Sequence, residues 1–199
     1  MHLYLVRHGV TRWNDAGRYQ GATDIPLSDE GERQSIELGG RLAGFIPDRF
    51  YVSPLGRARR TAELILPDRT PEVLDDLSEF RCGAWEGLTE GEIVRRDPER
   101  FAAFNAYADG FAFPDGERMT DFVDRVDRTF DRLRNEEAAS TLVVAHGGVI
   151  RHILCRALGL PLHNWRRFRT APASLTVIEI KGDYVSLVAM SGRAGRLTD

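Results

Sequence analysis

The chain has 199 residues, 42% hydrophobic and 29% charged, with a net charge of −3. That length supports one domain with a full core, two cysteines are too few for a disulfide framework or a cysteine zinc cluster, and the charge offers no general pull toward nucleic acid or membrane. No apolar run approaches the ~20 residues that span a bilayer, and the N-terminus lacks a signal-peptide pattern, so a cytoplasmic protein is expected. The basic set is 26 arginines and Lys181, so no Gly-rich loop ends in Lys-Ser/Thr and Schiff-base chemistry would rest on Lys181 alone.

In chain order, His2 to Val6 reads as a buried first strand. Arg7 to Leu27 has no helical period and holds Gly9, Gly17, Gly21 and Pro26; a loop of that length in a compact domain is more often functional than idle. Ser28 caps a helix predicted to run to about Ala43, with Glu30 and Glu32 in its first turn. Phe50 to Val52 is a second strand. Ser53-Pro54 supplies a cap and a first-turn proline for a helix from Leu55 to about Leu66.

Glu72 to Leu77 is a candidate third strand. Thr89 and Glu92 have capping-box spacing and open a helix to about Arg96. Phe101, Phe104, Tyr107, Phe111 and Phe113 form an aromatic stretch, read as packing first and as a lid second. Arg118 to Arg134 is an amphipathic helix with Phe122, Val126, Phe130 and Leu133 on one face. Thr141 to Ala145 is a strand, Val149 to Leu158 a helix, and Leu175 to Ile180 with Tyr184 to Ala189 a hairpin through Gly182-Asp183. Strands alternating with helices indicate α/β layers around one mixed sheet.

Two histidines directly follow the two best strands, His8 before Gly9 and His146 before Gly147-Gly148. Ligands of open α/β sheets bind at the carboxyl ends of strands. Zinc would need three or four close ligands, and the five histidines show no such cluster. His8 instead has Arg7 beside it, and Arg57 opens the helix after the second strand. Guanidinium forks match phosphate oxygens, so the set suits phosphoryl transfer through a phosphohistidine.

The stretches Leu5 to Asn14 (LVRHGVTRWN), Gly21 to Gly31 (GATDIPLSDEG), Ser53 to Ala62 (SPLGRARRTA), Leu77 to Gly87 (LSEFRCGAWEG) and Val144 to Arg151 (VAHGGVIR) together resemble the histidine phosphatase, or phosphoglycerate-mutase-like, superfamily. The resemblance implies a three-layer α/β/α sandwich with a mixed, mostly parallel sheet. It implies one domain over 1–199, with a small helical lid inserted at about 89–117. It implies His8 as nucleophile, Arg7, Arg57 and His146 as holders of the phosphoryl group, Glu79 as proton donor and Asn14 in the phosphate pocket. Gln20, Gly21 and Gly147 join the substrate-contact candidates.

The roles make physical sense. His8 must attack as a neutral imidazole with its other nitrogen tied to backbone, and neighbouring guanidiniums favour that form. Glu79 can protonate an alkoxide if a partly apolar pocket, with Phe80 and Trp85 adjoining, keeps it protonated. No metal or cofactor is expected, and the partner is a small phosphorylated metabolite; a homodimer is left open. Trp13 reads equally as a substrate contact or as packing, Arg95-Arg96 as a solvated helix end before a basic patch, His163 with Arg166, Arg167 and Arg169 as surface first and an anion contact second, and Cys82 and Cys155 as inert.

Hydrolase and mutase divide at one segment. The mutases of this superfamily carry a longer insertion with an aromatic-Arg-Arg element for a substrate carboxylate; here Phe104, Asn105 and Ala106 align with it. Gly116 to Phe122 (GERMTDF) also departs from the usual Gly-Glu-Ser. Phosphomonoester hydrolysis is therefore expected, on α-ribazole 5′-phosphate or a sugar or glycerate phosphate, because RYQGATDIPLSDEGE and RARRTAEL are most similar to the α-ribazole phosphatase group. A mutase and a non-catalytic phosphate-binding module are the alternatives.

Overall fold

A computed structural model describes residues 1–190. The strands are β1 (His2–Arg7), β2 (Arg49–Val52), β3 (Glu72–Val73), β4 (Ser140–Ala145), β5 (Leu175–Lys181) and β6 (Tyr184–Met190), in one sheet ordered β3-β2-β4-β1-β5-β6. The β1–β4, β2–β4 and β2–β3 pairs are parallel, whereas β5 is antiparallel to β1 and to β6. The helices are α1 (Arg12–Asp15), α2 (Asp29–Arg41), α3 (Gly56–Ile65), α4 (Glu90–Arg96), α5 (Pro98–Ala106), α6 (Met119–Arg134) and α7 (Gly147–Ala157).

Strand alternation sorts the core into two layers. Leu3 and Leu5 of β1 pack with Val126 and Phe130 of α6 and Val149 and Ile153 of α7. Val6 faces the other way, with Leu38 of α2 and Ala58, Ala62 and Ile65 of α3. The result is the expected three-layer sandwich with a mixed, mostly parallel sheet.

Local chemistry sets the helix ends. The Ser28 hydroxyl accepts from the Gly31 amide, with Asp29, Glu30 and Glu32 at the positive end of α2. Thr89 and Glu92 form the reciprocal capping box that opens α4. In α6, Phe122, Val126, Phe130 and Leu133 are at most 2% exposed, and each such burial stabilises the fold by about 1.5–3 kcal/mol.

Four expectations change. The long loop after β1 contains α1, because Thr11 caps four residues through a reciprocal bond with Asn14. Strand β3 stops at Val73 and the chain turns through Asp75–Leu77 in a 3-10 turn. Helix α3 begins at Gly56 with Leu55 as its cap residue; Ser53 does not cap it, its hydroxyl being bonded to His146 Nε2 at 2.7 Å. Helix α7 begins at Gly147, two residues early, because His146 has extended backbone and serves as its cap residue. The first aromatics of the 101–113 stretch lie on α5, and Phe101, Phe104, Phe111 and Phe113 are buried core.

Arg7 and Ala145 are register partners at the ends of β1 and β4. His8 and His146 therefore leave the sheet side by side, at its carboxyl edge.

Candidate active site

His8 and His146 face each other with ring centres 5.1 Å apart. Both are buried. The His8 Nδ1–H donates to its own neighbour, the Gly9 carbonyl, at 2.7 Å, which leaves the Nε2 lone pair for an electrophile. Burial, then Arg57, then Arg7 hold the His8 imidazole well below its usual pKa, so it is neutral. His146 is held low by burial first and Arg57 second.

Arg57 is fully buried on the first turn of α3. Its guanidinium donates to the carbonyls of Gly21 (2.7 Å) and Thr23 (2.9 Å) and lies 3.8 Å from Asp24. The loop after β1 thus wraps this arginine and turns it toward the histidines. Arg7 donates to the Thr170 carbonyl at 2.6 Å. Burial, with Arg151 close by, pulls it down to about 10, against the opposing pull of Glu79.

Glu79 is buried, and its Oε2 accepts from the Gly148 amide at 2.8 Å on the first turn of α7. The loop carrying it is pinned from α6: Arg125 donates to the carbonyls of Asp76, Ser78 and Glu79 and is paired with Glu117 at 2.8 Å. Glu117 is the glutamate that the GERMTDF segment shares with the usual Gly-Glu-Ser, and it braces the Glu79 loop; the departure falls on Arg118. The surroundings of Glu79 are mixed. Arg7, Arg57 and Arg151 all act on it electrostatically, with Phe80 its adjoining apolar neighbour.

A cleft of about 190 Å³ opens onto this group, with Arg7, His8, Asn14, Gln20 and Glu79 among its walls. Asn14 accepts from the Thr11 amide, and Gln20 accepts from the Thr11 hydroxyl at 2.6 Å. The Gly21 carbonyl faces Arg57, and the Gly147 carbonyl accepts from Arg151 Nε at 2.8 Å. Trp13 packs on Gly87. Arg95, Arg96 and His163 are exposed. Cys82 lies in the cleft wall with its thiol pushed well up by burial, and Cys155 is buried in α7.

Further cleft-lining residues were not among the predicted site residues. Arg18, Tyr19, Phe104, Arg151, Trp165 and Arg166 also line the cleft. Arg151 was readable as one turn beyond Gly147 on α7. Arg166 was not, because it sits in an arginine-rich run that looks like surface.

The arrangement brings together a neutral imidazole, guanidiniums and a buried carboxyl group at one sheet edge. A family profile described as the histidine phosphatase superfamily, branch 1, matches residues 3–192. The chain belongs to the histidine phosphatase superfamily. An adenosylcobalamin/alpha-ribazole phosphatase of Salmonella typhimurium is 33% identical to this histidine phosphatase over 98% of either chain. The crystal structure of the alpha-ribazole phosphatase from Shigella flexneri superposes on it with a TM-score of 0.88, at 30% identity and over 100% of both chains. A probable phosphoglycerate mutase of Serratia proteamaculans is 34% identical over 90% of this chain and 85% of its own. The enzyme is a phosphatase.

Proposed function

We propose that this phosphatase hydrolyses small phosphomonoesters through a phosphohistidine on His8, without a metal ion. The observation that carries the reading is the Nδ1–H bond of His8 to the Gly9 carbonyl, which leaves the Nε2 lone pair free beside Arg7, Arg57 and His146. Nε2 attacks phosphorus and the ester P–O bond breaks, its electron pair leaving on the alcohol oxygen. Glu79 protonates that oxygen. Water then attacks the phosphohistidine, Glu79 takes the proton, and the P–N bond electrons return to the imidazole. Arg7, Arg57 and His146 stabilise the equatorial oxygens in both transition states. Asn14, Gln20, Gly21 and Gly147 complete the substrate contacts directly or by holding the arginines.

Metal independence is supported by the donor set, in which guanidiniums occupy the places where metal-ligating carboxylates would gather. Among the described residues, no three His, Cys, Asp or Glu side chains come together as a metal site. We take residues 1–199 as one catalytic domain, with 89–117 as its lid, working in the cytoplasm. α-Ribazole 5′-phosphate, sugar phosphates and glycerate phosphates are the esters to try, the first because a relative bears that name.

The test is hydrolysis of 4-nitrophenyl phosphate in excess EDTA, followed by acid-labile ³²P trapping on wild type and on His8→Ala. Label on wild type alone is the expected result; label on serine or aspartate, or activity that returns only with a divalent ion, overturns the mechanism. Mutase turnover is expected to fall below phosphate release when 3-phosphoglycerate and 2,3-bisphosphoglycerate are supplied. Phe104 faces the cleft and Asn105 and Ala106 bring no guanidinium, so nothing on that segment holds a carboxylate through two transfers. Isomerisation faster than phosphate release overturns the hydrolase reading.

A further inference from the structure

The cleft holds more positive charge than one phosphoryl group uses. Arg7 and Arg57 already attend His8. Arg151 and Arg166 line the same cleft from α7 and from the 3-10 turn Leu162–Arg167. Their guanidinium carbons lie 4.6 Å and 5.0 Å from the ring centre of Trp165, and Arg166 lies 5.4 Å from that of Phe104. Arg166 also acts on the Tyr19 hydroxyl, opposing the rise that burial gives its pKa. Among the described residues, neither guanidinium has a carboxylate within 4.0 Å.

The four arginines form a row of like charges. Arg57 acts on Arg7, Arg7 and Arg151 act on each other, and Arg151 feels Arg166; Glu79 opposes three of the four. Arg57 is buried and Arg7 and Arg151 are half-buried, so the repulsion among these three is poorly screened, whereas Arg166 is exposed to solvent. Two donors point the same way. Trp165 Nε1 and Gln20 Nε2 are buried in the cleft wall without an acceptor. Buried donors without partners are uncommon and call for an acceptor from outside the protein.

Resting on the phosphatase reading of this cleft, we infer that Arg151 and Arg166, both stacked on Trp165, form a second anion subsite for the leaving group. The preferred substrates are then phosphomonoesters whose alcohol carries a second anionic group, a carboxylate or another phosphate. This subsite comes from α7 and the turn after it, beside Phe104 of the segment that aligns with the mutase carboxylate element, which itself brings no guanidinium here. A neutral alcohol would leave both guanidiniums uncompensated.

The experiment compares kcat/KM for two matched pairs. 3-Phosphoglycerate against glycerol 3-phosphate adds a carboxylate; fructose 1,6-bisphosphate against fructose 6-phosphate adds a phosphate. The acidic member of at least one pair is expected to be favoured by about tenfold or more, the worth of one charge-assisted contact, and the pair that responds names the anion. Arg166→Gln should cut that ratio by about tenfold, chiefly through KM, and Arg166→Lys should restore part of it. Arg151→Gln is the second variant. Ratios near one in both pairs, a ratio that survives both glutamine variants, or α-ribazole 5′-phosphate preferred over every acidic ester overturns the subsite. Failure to hydrolyse any ester, 4-nitrophenyl phosphate included, overturns the phosphatase reading itself.

Discussion

His8, the proposed nucleophile, can attack only while it is neutral, and its surroundings act together to keep it so. Burial contributes most, then Arg57, then Arg7, against the Gly9 carbonyl that pulls the other way. The same guanidinium that would steady the phosphoryl group therefore also keeps the lone pair free. Arg57→Gln should consequently have two signatures. Loss of one oxyanion-type donor lowers kcat/KM by about 10²–10³-fold. Removal of a positive charge raises the His8 pKa toward its ordinary value, so the acid limb of the kcat/KM profile moves to higher pH. A pH–rate profile from 4.5 to about 8 reads both at once. A limb that stays where it was would show that Arg57 does not govern His8.

At the scale of elements, Glu79, the proposed general acid, is held by helices remote from it in the chain. The first turn of α7 gives Glu79 its Gly148 amide, and α6 clamps its loop through Arg125. A Cβ at position 148 would collide with Glu79 Oε1 and with the Phe80 ring. Gly148→Ala should therefore displace the carboxyl and cost about tenfold or more in kcat on alkyl phosphates, whose alkoxides must be protonated. 4-Nitrophenyl phosphate should suffer less, since its phenoxide leaves without a proton. Equal losses on both esters would place the damage in the phosphate cradle instead. The glycine pair after His146 is thus as much a matter of room for Glu79 as of a helix start.

For the whole molecule, burying neutral imidazoles makes stability depend on pH. His8, His146 and His152 are all held below the ordinary histidine value, with burial the largest cause for each; His152 is so held despite its 2.8 Å contact with Asp127. In the unfolded chain they titrate near pH 6.5. Below that, the unfolded state binds more protons than the folded one, so stability is lost as pH falls and is unaffected by these groups above it. Each contributes a slope of about 1.4 kcal/mol per pH unit below 6.5. The urea midpoint should accordingly be lower at pH 5.5 than at pH 7.5. An equal or higher midpoint at pH 5.5 would mean that these histidines take up protons in the folded state.

The layers, the two strand-end histidines and the arginine at the head of the second helix were legible from the chain alone, because strand and helix periods and helix caps are local properties of neighbouring residues. The same holds for the positions of Arg7, His8, Arg57 and His146, the proposed phosphoryl cradle, since they sit at element ends that local patterning locates. What lay outside that reach depends on pairings across the sheet and between helices. Register alone brings Arg7 level with Ala145, and Ser53 turned out to serve His146 rather than its own helix because β2 lies beside β4. Arg125 reaches back across 46 residues to the Glu79 carbonyl, and Arg166 reaches the cleft from a stretch whose composition looks like solvated surface. Sequence spacing carries no information about such contacts; chain packing brings Arg125 to the acid and Arg151 and Arg166 to the cleft, and so shapes the wall that meets the leaving group.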